Sequence, residues 1–169
     1  MLKMFFPDIY IKSIFDLPLD DFKKRGITTL FFDIDNTVAP FDVAVPDEKT
    51  AAFFSELKKE GFKVCLLSNN NKKRVELFNR PLRAHAVWKA GKPGVKKLNQ
   101  VIKRLGETKN TAAIVGDQVF TDMYCAHRAG LLAVYTEPIC NRDQLITKVK
   151  RGAERIVLTI YKKRTGILK

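Results

Sequence analysis

The sequence predicts a three-layer α/β domain: a parallel sheet of about five strands, helices on both faces, and no separate cap. Short β-branched and aromatic runs alternate strictly with amphipathic, helix-length segments from residue 27 to residue 135. That order of elements covers a parallel sheet with helices on either side. In addition, 169 residues with 46% apolar content suffice for one proper core, and no repeat, low-complexity run or linker divides them. The expected organisation is a main domain over residues 1–140 and a basic amphipathic helix over 141–169, packed on that domain or appended to it.

"ITTLFF" (27–32) is the first strand. "PDEKTAAFFSELKKEG" (46–61) follows as a helix, with Pro and acids at its start, Ala51, Phe54 and Leu57 on one face, lysines in its last turn and Gly61 as its stop. "FKVCLLS" (62–68) is the second strand, "NKKRVELFNRP" (71–81) a short helix closed by Pro81, and "AHAVW" (84–88) the third strand. "PGVKKLNQVIKRLG" (93–106) spaces Val95, Leu98, Val101, Ile102 and Leu105 for one helical face. "TAAIVG" (111–116) is the fourth strand, "VFTDMYCAHRAG" (119–130) a helix stopped by Gly130, and "LLAVY" (131–135) the fifth strand. The whole reads as Rossmann-like, and such sheets carry their sites beyond the carboxyl ends of the strands, where strand order reverses.

The residues standing at those ends are of one kind. The first strand runs into Asp33-Ile34-Asp35-Asn36-Thr37, and the second into Ser68-Asn69-Asn70. The third is followed by Lys89-Ala90-Gly91-Lys92-Pro93, and the fourth by Asp117-Gln118, with Thr121 and Asp122 just beyond. If the first strand is central, flanked by the second and fourth, a carboxylate cluster meets a hydroxyl, amides and a lysine. Converging carboxylates cannot all stay ionised without a cation. Oxygen ligands without His or Cys suit a hard ion such as Mg²⁺. Ser68, Asn69, backbone N–H groups and Lys92 suit phosphate oxygens. A metal, a phosphate cradle and a carboxylate able to attack phosphorus together describe phosphoryl transfer. A calcium loop counted from Asp33 would need Gly at position 38 and Glu at position 44, where Val38 and Ala44 stand.

Composition narrows the setting. "MLKMFF" meets Pro7 and Asp8 before an apolar core of signal-peptide length can build, and no 18-residue apolar run exists. Cys65, Cys125 and Cys140 offer neither disulfide nor zinc spacing, which fits a reducing, cytoplasmic compartment. His85 and His127 lack partner spacing, and Trp88 reads as core. Arg74 and Arg128 fit helix-surface charges as well as functional positions. The net charge is +13, and residues 141–169 hold nine basic against two acidic side chains, a net +7. Within 142–163, Leu145, Val149, Ala153, Ile156, Val157 and Ile160 recur at helical spacing, with Gly152 weakening the helix by about 1 kcal/mol. This helix either packs on the domain or lays residues 142–164 on an anionic membrane. A nucleic-acid surface is less favoured, because no aromatic residues interleave the charges.

The motifs Asp-x-Asp-x-Thr, the Ser after the next strand, Lys-Pro and Gly-Asp-x-x-x-x-Asp resemble the four motifs of the haloacid dehalogenase superfamily of phosphohydrolases, in that family's order. "PDIYIKSIFDL", "GITTLFFDIDNTV", "SNNNKKRV", "AGKP", "GDQVFTD" and "RAG" extend the resemblance over almost the whole chain. They are similar to its capless subclass IIIA, in the YqeG-like branch grouped with phosphatidylglycerophosphatases. The resemblance implies Asp33 as nucleophile and metal ligand. Asp35 becomes the acid that protonates the leaving alcohol and the base that then activates water, its carbonyl also ligating Mg²⁺. It gives Thr37 and Ser68 phosphate-holding or loop-orienting roles, Lys92 charge neutralisation, and Asp117 the second metal carboxylate. Asp122 would position Lys92 or a metal-bound water, and Asn69 and Gln118 would contact phosphate or such a water. Cap modules of this family enter between the first and second or the second and third motifs. Only 32 residues separate Asp35 from Ser68 and 23 separate Ser68 from Lys92, all needed by the elements above, so an open site is expected. The reading is a Mg²⁺-dependent phosphomonoesterase using a phospho-aspartate, cytoplasmic and peripheral on the inner membrane face, with phosphatidylglycerophosphate as preferred substrate. The alternatives are a soluble phosphatase for nucleotide or sugar phosphates, and a nucleic-acid-binding module or end phosphatase.

Overall fold

The computed structural model describes residues 2–140 and 145–167. Six parallel strands form one sheet: β1 (Ile9–Ile11), β2 (Thr29–Phe32), β3 (Lys63–Leu67), β4 (His85–Val87), β5 (Ala112–Gly116) and β6 (Leu132–Thr136), in the order β1-β6-β5-β2-β3-β4. The central β2 pairs with β3 on one side and β5 on the other, as the sequence reading required. Its side chains alternate between two cores. Leu30 and Phe32 point into one, with Phe54 and Leu57 of α2 (Glu48–Lys59), Val75 and Phe78 of α3 (Lys72–Asn79) and Phe22 of α1 (Leu19–Lys24). Phe31 points into the other, with Leu98, Val101 and Ile102 of α4 (Lys96–Arg104) and Cys125, Ala126 and Ala129 of α5 (Tyr124–Ala129). Both faces are therefore covered, which is why the strands read as apolar runs and not as alternations.

Helix ends follow local chemistry. Asp47 caps α2 by accepting from Thr50 N at 2.8 Å, and Asn71 caps α3 by accepting from Arg74 N at 2.9 Å. Gly61, at φ 91°, stops α2 and lets Phe62 N reach back to Leu57 O at 2.9 Å.

Within residues 2–140 the structure departs from the sequence reading in four places. A sixth strand, β1, pairs with β6 in the register Ile9↔Val134 to Ile11↔Thr136; it lies ahead of residue 27, where the strand–helix alternation begins. The segment before β2 also holds α1 and two short 3₁₀ turns, Leu2–Phe5 and Ile14–Asp16. The helix expected over 119–130 opens as a π turn, Val119–Met123, and becomes α-helical at Tyr124. Trp88 lies just past β4, half-buried against the core.

The basic segment forms α6 (Leu145–Arg164). Its expected start at Arg142, and the expected apolar side chains of Leu145 and Val149, lie outside the described residues. Further along, the inward face differs from the expected one. Glu154, Val157 and Tyr161 are buried, whereas Ala153 is exposed and Ile156 is 64% exposed. The partners explain the rotation. Glu154 accepts from Phe120 N at 3.3 Å, and Tyr161 meets Phe6 and Tyr10 at ring distances of 5.7 and 6.4 Å. Of the expected apolar stripe, Ala153 and Ile156 thus face outward, Val157 faces the domain and Ile160 is half-buried. Among the described residues, no helix is long and apolar enough to cross a membrane.

Candidate active site

Strand order reverses at β2, and the loops leaving β2, β3, β4 and β5 meet above its carboxyl end. Asp33 is the first residue past β2, its N–H still held in the sheet by Val115 O at 3.0 Å. The chain then turns tightly: Val38 and Ala39 N–H both donate to Ile34 O, and Asn36 N–H donates to Ala39 O at 2.7 Å. Asn36 takes the left-handed conformation at φ 65°, one that Asn tolerates. This turn carries Asp35 and Thr37 to the same end of the sheet.

Lys92 arrives from the loop after β4. Its Nζ donates to Asp33 Oδ1 and to Asp122 Oδ1, each at 2.6 Å, and all three side chains are buried. Asp122 is held in turn by Gln118 N at 3.1 Å, inside the π turn. Asp117, fully buried past the end of β5, accepts from Thr37 Oγ1 at 3.1 Å. A cavity of about 350 Å³ opens above these groups, lined by Asp33, Asp35, Ser68, Asn69, Lys92 and Gln118 among others.

Burial and the neighbouring Asp122 and Asp117 carboxylates push the Asp33 carboxyl up to about 8, although Lys92 pulls the other way. Burial also works against the Lys92 charge, but Asp122 and Asp33 outweigh it and hold the ammonium protonated. Oxygens of Asp33, Asp117 and Asp122 lie within 4.8 Å of one another. Lys92 supplies one positive charge to these three carboxylates, and the raised Asp33 carboxyl marks the shortfall. An all-oxygen donor set of this kind fits a hard divalent cation.

Every sequence-predicted site residue lies in this region, but two are engaged differently from expectation. Asn69 Oδ1 accepts from Lys92 N at 2.8 Å and its Nδ2 donates to Lys92 O at 2.9 Å, so its amide holds the lysine loop. Thr37 is buried and its hydroxyl donates to Asp117. Ser68 Oγ accepts from Asn70 N at 3.0 Å and lines the cavity, while Gln118 Oε1 accepts from Thr121 Oγ1 at 3.3 Å. Sequence reasoning placed Asn36, Asn70 and Thr121 at the strand ends without giving them a role, missed Phe41, and left Arg74 open; the first four line the cavity. Arg74 Nη2 pairs with Asp35 Oδ1 at 3.0 Å. A cue existed: Asn70 and Arg74 flank a helix N-cap immediately past a strand end that faces the site.

A family model described as haloacid dehalogenase-like hydrolase matches residues 11–130. The chain belongs to this haloacid dehalogenase-like family. It is 34% identical, over 99% of its length and 98% of the relative's, to a protein described as probable phosphatase YqeG of Bacillus subtilis strain 168. It is 26% identical to phosphatidylglycerophosphate phosphatase 1, chloroplastic/mitochondrial, of Arabidopsis thaliana, over 93% of this chain and 47% of that protein. In structure it resembles the 3-deoxy-D-manno-octulosonate 8-phosphate phosphatase of Moraxella catarrhalis, solved with magnesium, phosphate and sugar. The TM-score is 0.55 at 13% identity, over 90% of this chain and all of that one. The cobalt-bound phosphatase YrbI of Haemophilus influenzae gives a TM-score of 0.55 at 13% identity, over 83% and 92%. The chain is thus a capless, YqeG-like phosphatase. Phosphatases of this family use a divalent metal, and the buried acidic cluster is compatible with one.

Proposed function

We propose that this haloacid dehalogenase-like phosphatase is a Mg²⁺-dependent phosphomonoesterase acting through a phospho-aspartate at Asp33, and that its substrate is a phosphorylated phospholipid, phosphatidylglycerophosphate. Asp33, Asp117 and the Asp35 carbonyl would hold the ion, with Asp122 beside them holding Lys92. When bound, the ion supplies positive charge to the phosphoryl group and to the carboxylates around it.

The Asp33 oxygen not held by Lys92 attacks phosphorus. As the bond to the leaving oxygen breaks, Asp35 gives that oxygen its proton. Lys92 keeps the nucleophile oriented and balances the phosphoryl charge. Asp35 then takes a proton from water as that water attacks phosphorus and the bond between phosphorus and Asp33 breaks. Inorganic phosphate leaves and both carboxyls return to their starting states.

One observation carries the lipid reading: exposed apolar side chains stand close to the open, polar cavity. Phe41 lines it. Val43 and Val45 follow on the same loop, 36% and 47% exposed. Ile139 is 50% exposed and donates its N–H to Asn36 O at 2.9 Å, directly beside the cavity. A phosphate head with an apolar body matches a polar floor with apolar side chains close by. Nearby, α6 turns Arg155, Ile156 and Lys163 outward, and the 3₁₀ turn at the start exposes Leu2 and Met4. Phe6 and Tyr161 join these two segments, which form the surface proposed to lie on anionic lipid. The kinship to a phosphatidylglycerophosphate phosphatase supports the same choice.

The test is phosphate release with Mg²⁺ or excess chelator from vesicle-borne phosphatidylglycerophosphate, nucleotides, sugar phosphates and phosphorylated oligonucleotides. The lipid should be turned over best. The triple change Val43→Ser, Val45→Ser, Ile139→Ser should lower that rate at least tenfold while leaving p-nitrophenyl phosphate within about twofold. Equal losses on both substrates, or no turnover of the lipid, would sink the lipid assignment.

A further inference from the structure

Asp35 is gripped at both oxygens, by partners of different kinds. Arg74 Nη2 donates to Oδ1 at 3.0 Å, and Asn70 Nδ2 donates to Oδ2 at 3.1 Å. Arg74 is a fixed mount. It sits in the first turn of α3, its guanidinium lies 5.0 Å from the Phe78 ring, and Nη1 donates to Ala44 O at 3.2 Å. Its side chain is only 13% exposed. Asn70 is a neutral amide on the loop, oriented by Asn71 N donating to its Oδ1 at 2.8 Å. Asn70 lines the cavity, and Arg74 is not part of that lining.

We infer that Arg74 is a positioning residue that divides the labour between the two oxygens of Asp35: Oδ1 is the anchor and Oδ2 carries the proton. The inference rests on the acid–base role proposed for Asp35. A guanidinium keeps its protons and forms the stronger, charge-assisted contact, so the oxygen it holds stays held. The amide contact is neutral, weaker and on the cavity side, so it is the one exchanged. In the first half-reaction Oδ2 leaves Asn70 and passes its proton to the leaving oxygen as the phosphorus–oxygen bond breaks. In the second, Oδ2 takes a proton from water as the water oxygen bonds to phosphorus and the bond to Asp33 breaks. Arg74 changes neither protonation nor partner.

The prediction is selective for leaving groups. p-Nitrophenolate departs without a proton, whereas an alkoxide needs one. The value of kcat/KM reports steps only as far as phosphoenzyme formation, so the later base role does not blur the comparison. Asp35→Asn sets the full selectivity expected from loss of the acid. Arg74→Gln should lower kcat/KM on an alkyl phosphate about tenfold more than on p-nitrophenyl phosphate. Arg74→Lys, which keeps the charge and one donor, should recover part of the alkyl rate, and it serves alone if Arg74→Gln fails to fold. With Asp35→Asn selective, equal losses on both substrates in a folded Arg74 variant would make Arg74 merely structural and overturn the inference. An unselective Asp35→Asn would instead overturn the acid role itself.

Discussion

Gly116 shows how little room the site leaves. A Cβ there would lie 2.4 Å from Asp122 Cγ, inside any real contact distance, and Asp122 is pinned by Lys92 and Gln118 N. Gly116→Ala should therefore displace Asp122 and, through it, Lys92. The expected loss is about 1–3 kcal/mol in urea unfolding, with a larger drop in turnover. Asp33 gives a second prediction, on pH. In the metal-free fold its carboxyl stands near 8, against about 4 when unfolded. Between those values the folded state binds more protons than the unfolded one, so the stability of chelated protein should decline as pH rises through this window. Divalent metal favours the ionised form, so the rise in Tm on adding Mg²⁺ should grow from pH 5.5 to 8. A Mg²⁺ shift independent of pH would contradict the place given to Asp33. The identities of Asp33, Asp35, Lys92, Asp117 and Asp122 were legible because each stands at a strand end in a recognisable order. Which partner occupies Asn69 or Thr37 was not. An amide or hydroxyl serves a backbone as readily as a phosphate, and only the folded positions of Lys92 and Asp117 decide it.

At the scale of elements, four of the five strands legible in the sequence, β2, β3, β5 and β6, are paired on both sides and largely buried, whereas β4 is a three-residue edge that the alternation of strands and helices marked out. β1, an edge of the same length as β4, escaped because it precedes the strand–helix alternation that begins at residue 27 and is recognisable only through its pairing with β6. The inward face of α6 escaped for a different reason. Periodicity ranks residues by hydrophobicity, whereas the docked face is chosen by partners: an N–H on Phe120 that takes Glu154, and aromatic rings at Phe6 and Tyr10 that take Tyr161. Tyr161→Ala should accordingly cost about 3 kcal/mol of unfolding free energy. Ile156→Ala, on the outward side, should cost less than about 0.5 kcal/mol. A reversal of that order would mean that the helix docks by its other face.

For the molecule as a whole, the charge of +13 acts at a distance. A positive surface raises the encounter rate with anionic partners and is screened beyond about 8 Å at physiological ionic strength. Raising salt from 50 to 500 mM should cut kcat/KM on substrate in anionic vesicles at least tenfold, with little change in kcat on p-nitrophenyl phosphate. A flat salt response on vesicles would remove charge from the account of substrate capture.

The pairing of Phe32 with Val115 gives the sheet one more role. Asp33 and Asp117 each follow directly from adjacent strands, and Asp33 N–H is itself tied to Val115 O. Neighbouring strands lie about 4.8 Å apart because that is the length of a backbone hydrogen-bonded ladder, whatever the side chains are. The spacing of the two backbone positions that carry these carboxylates is thus set by peptide geometry, much as a lattice spacing is set by its repeat. Core side chains can change, edges can be rebuilt and helices can rotate without moving this ruler. Divergence can then be spent around the opening, at positions such as Phe41, Val43, Val45 and Ile139, to which the proposed function assigns the choice of substrate.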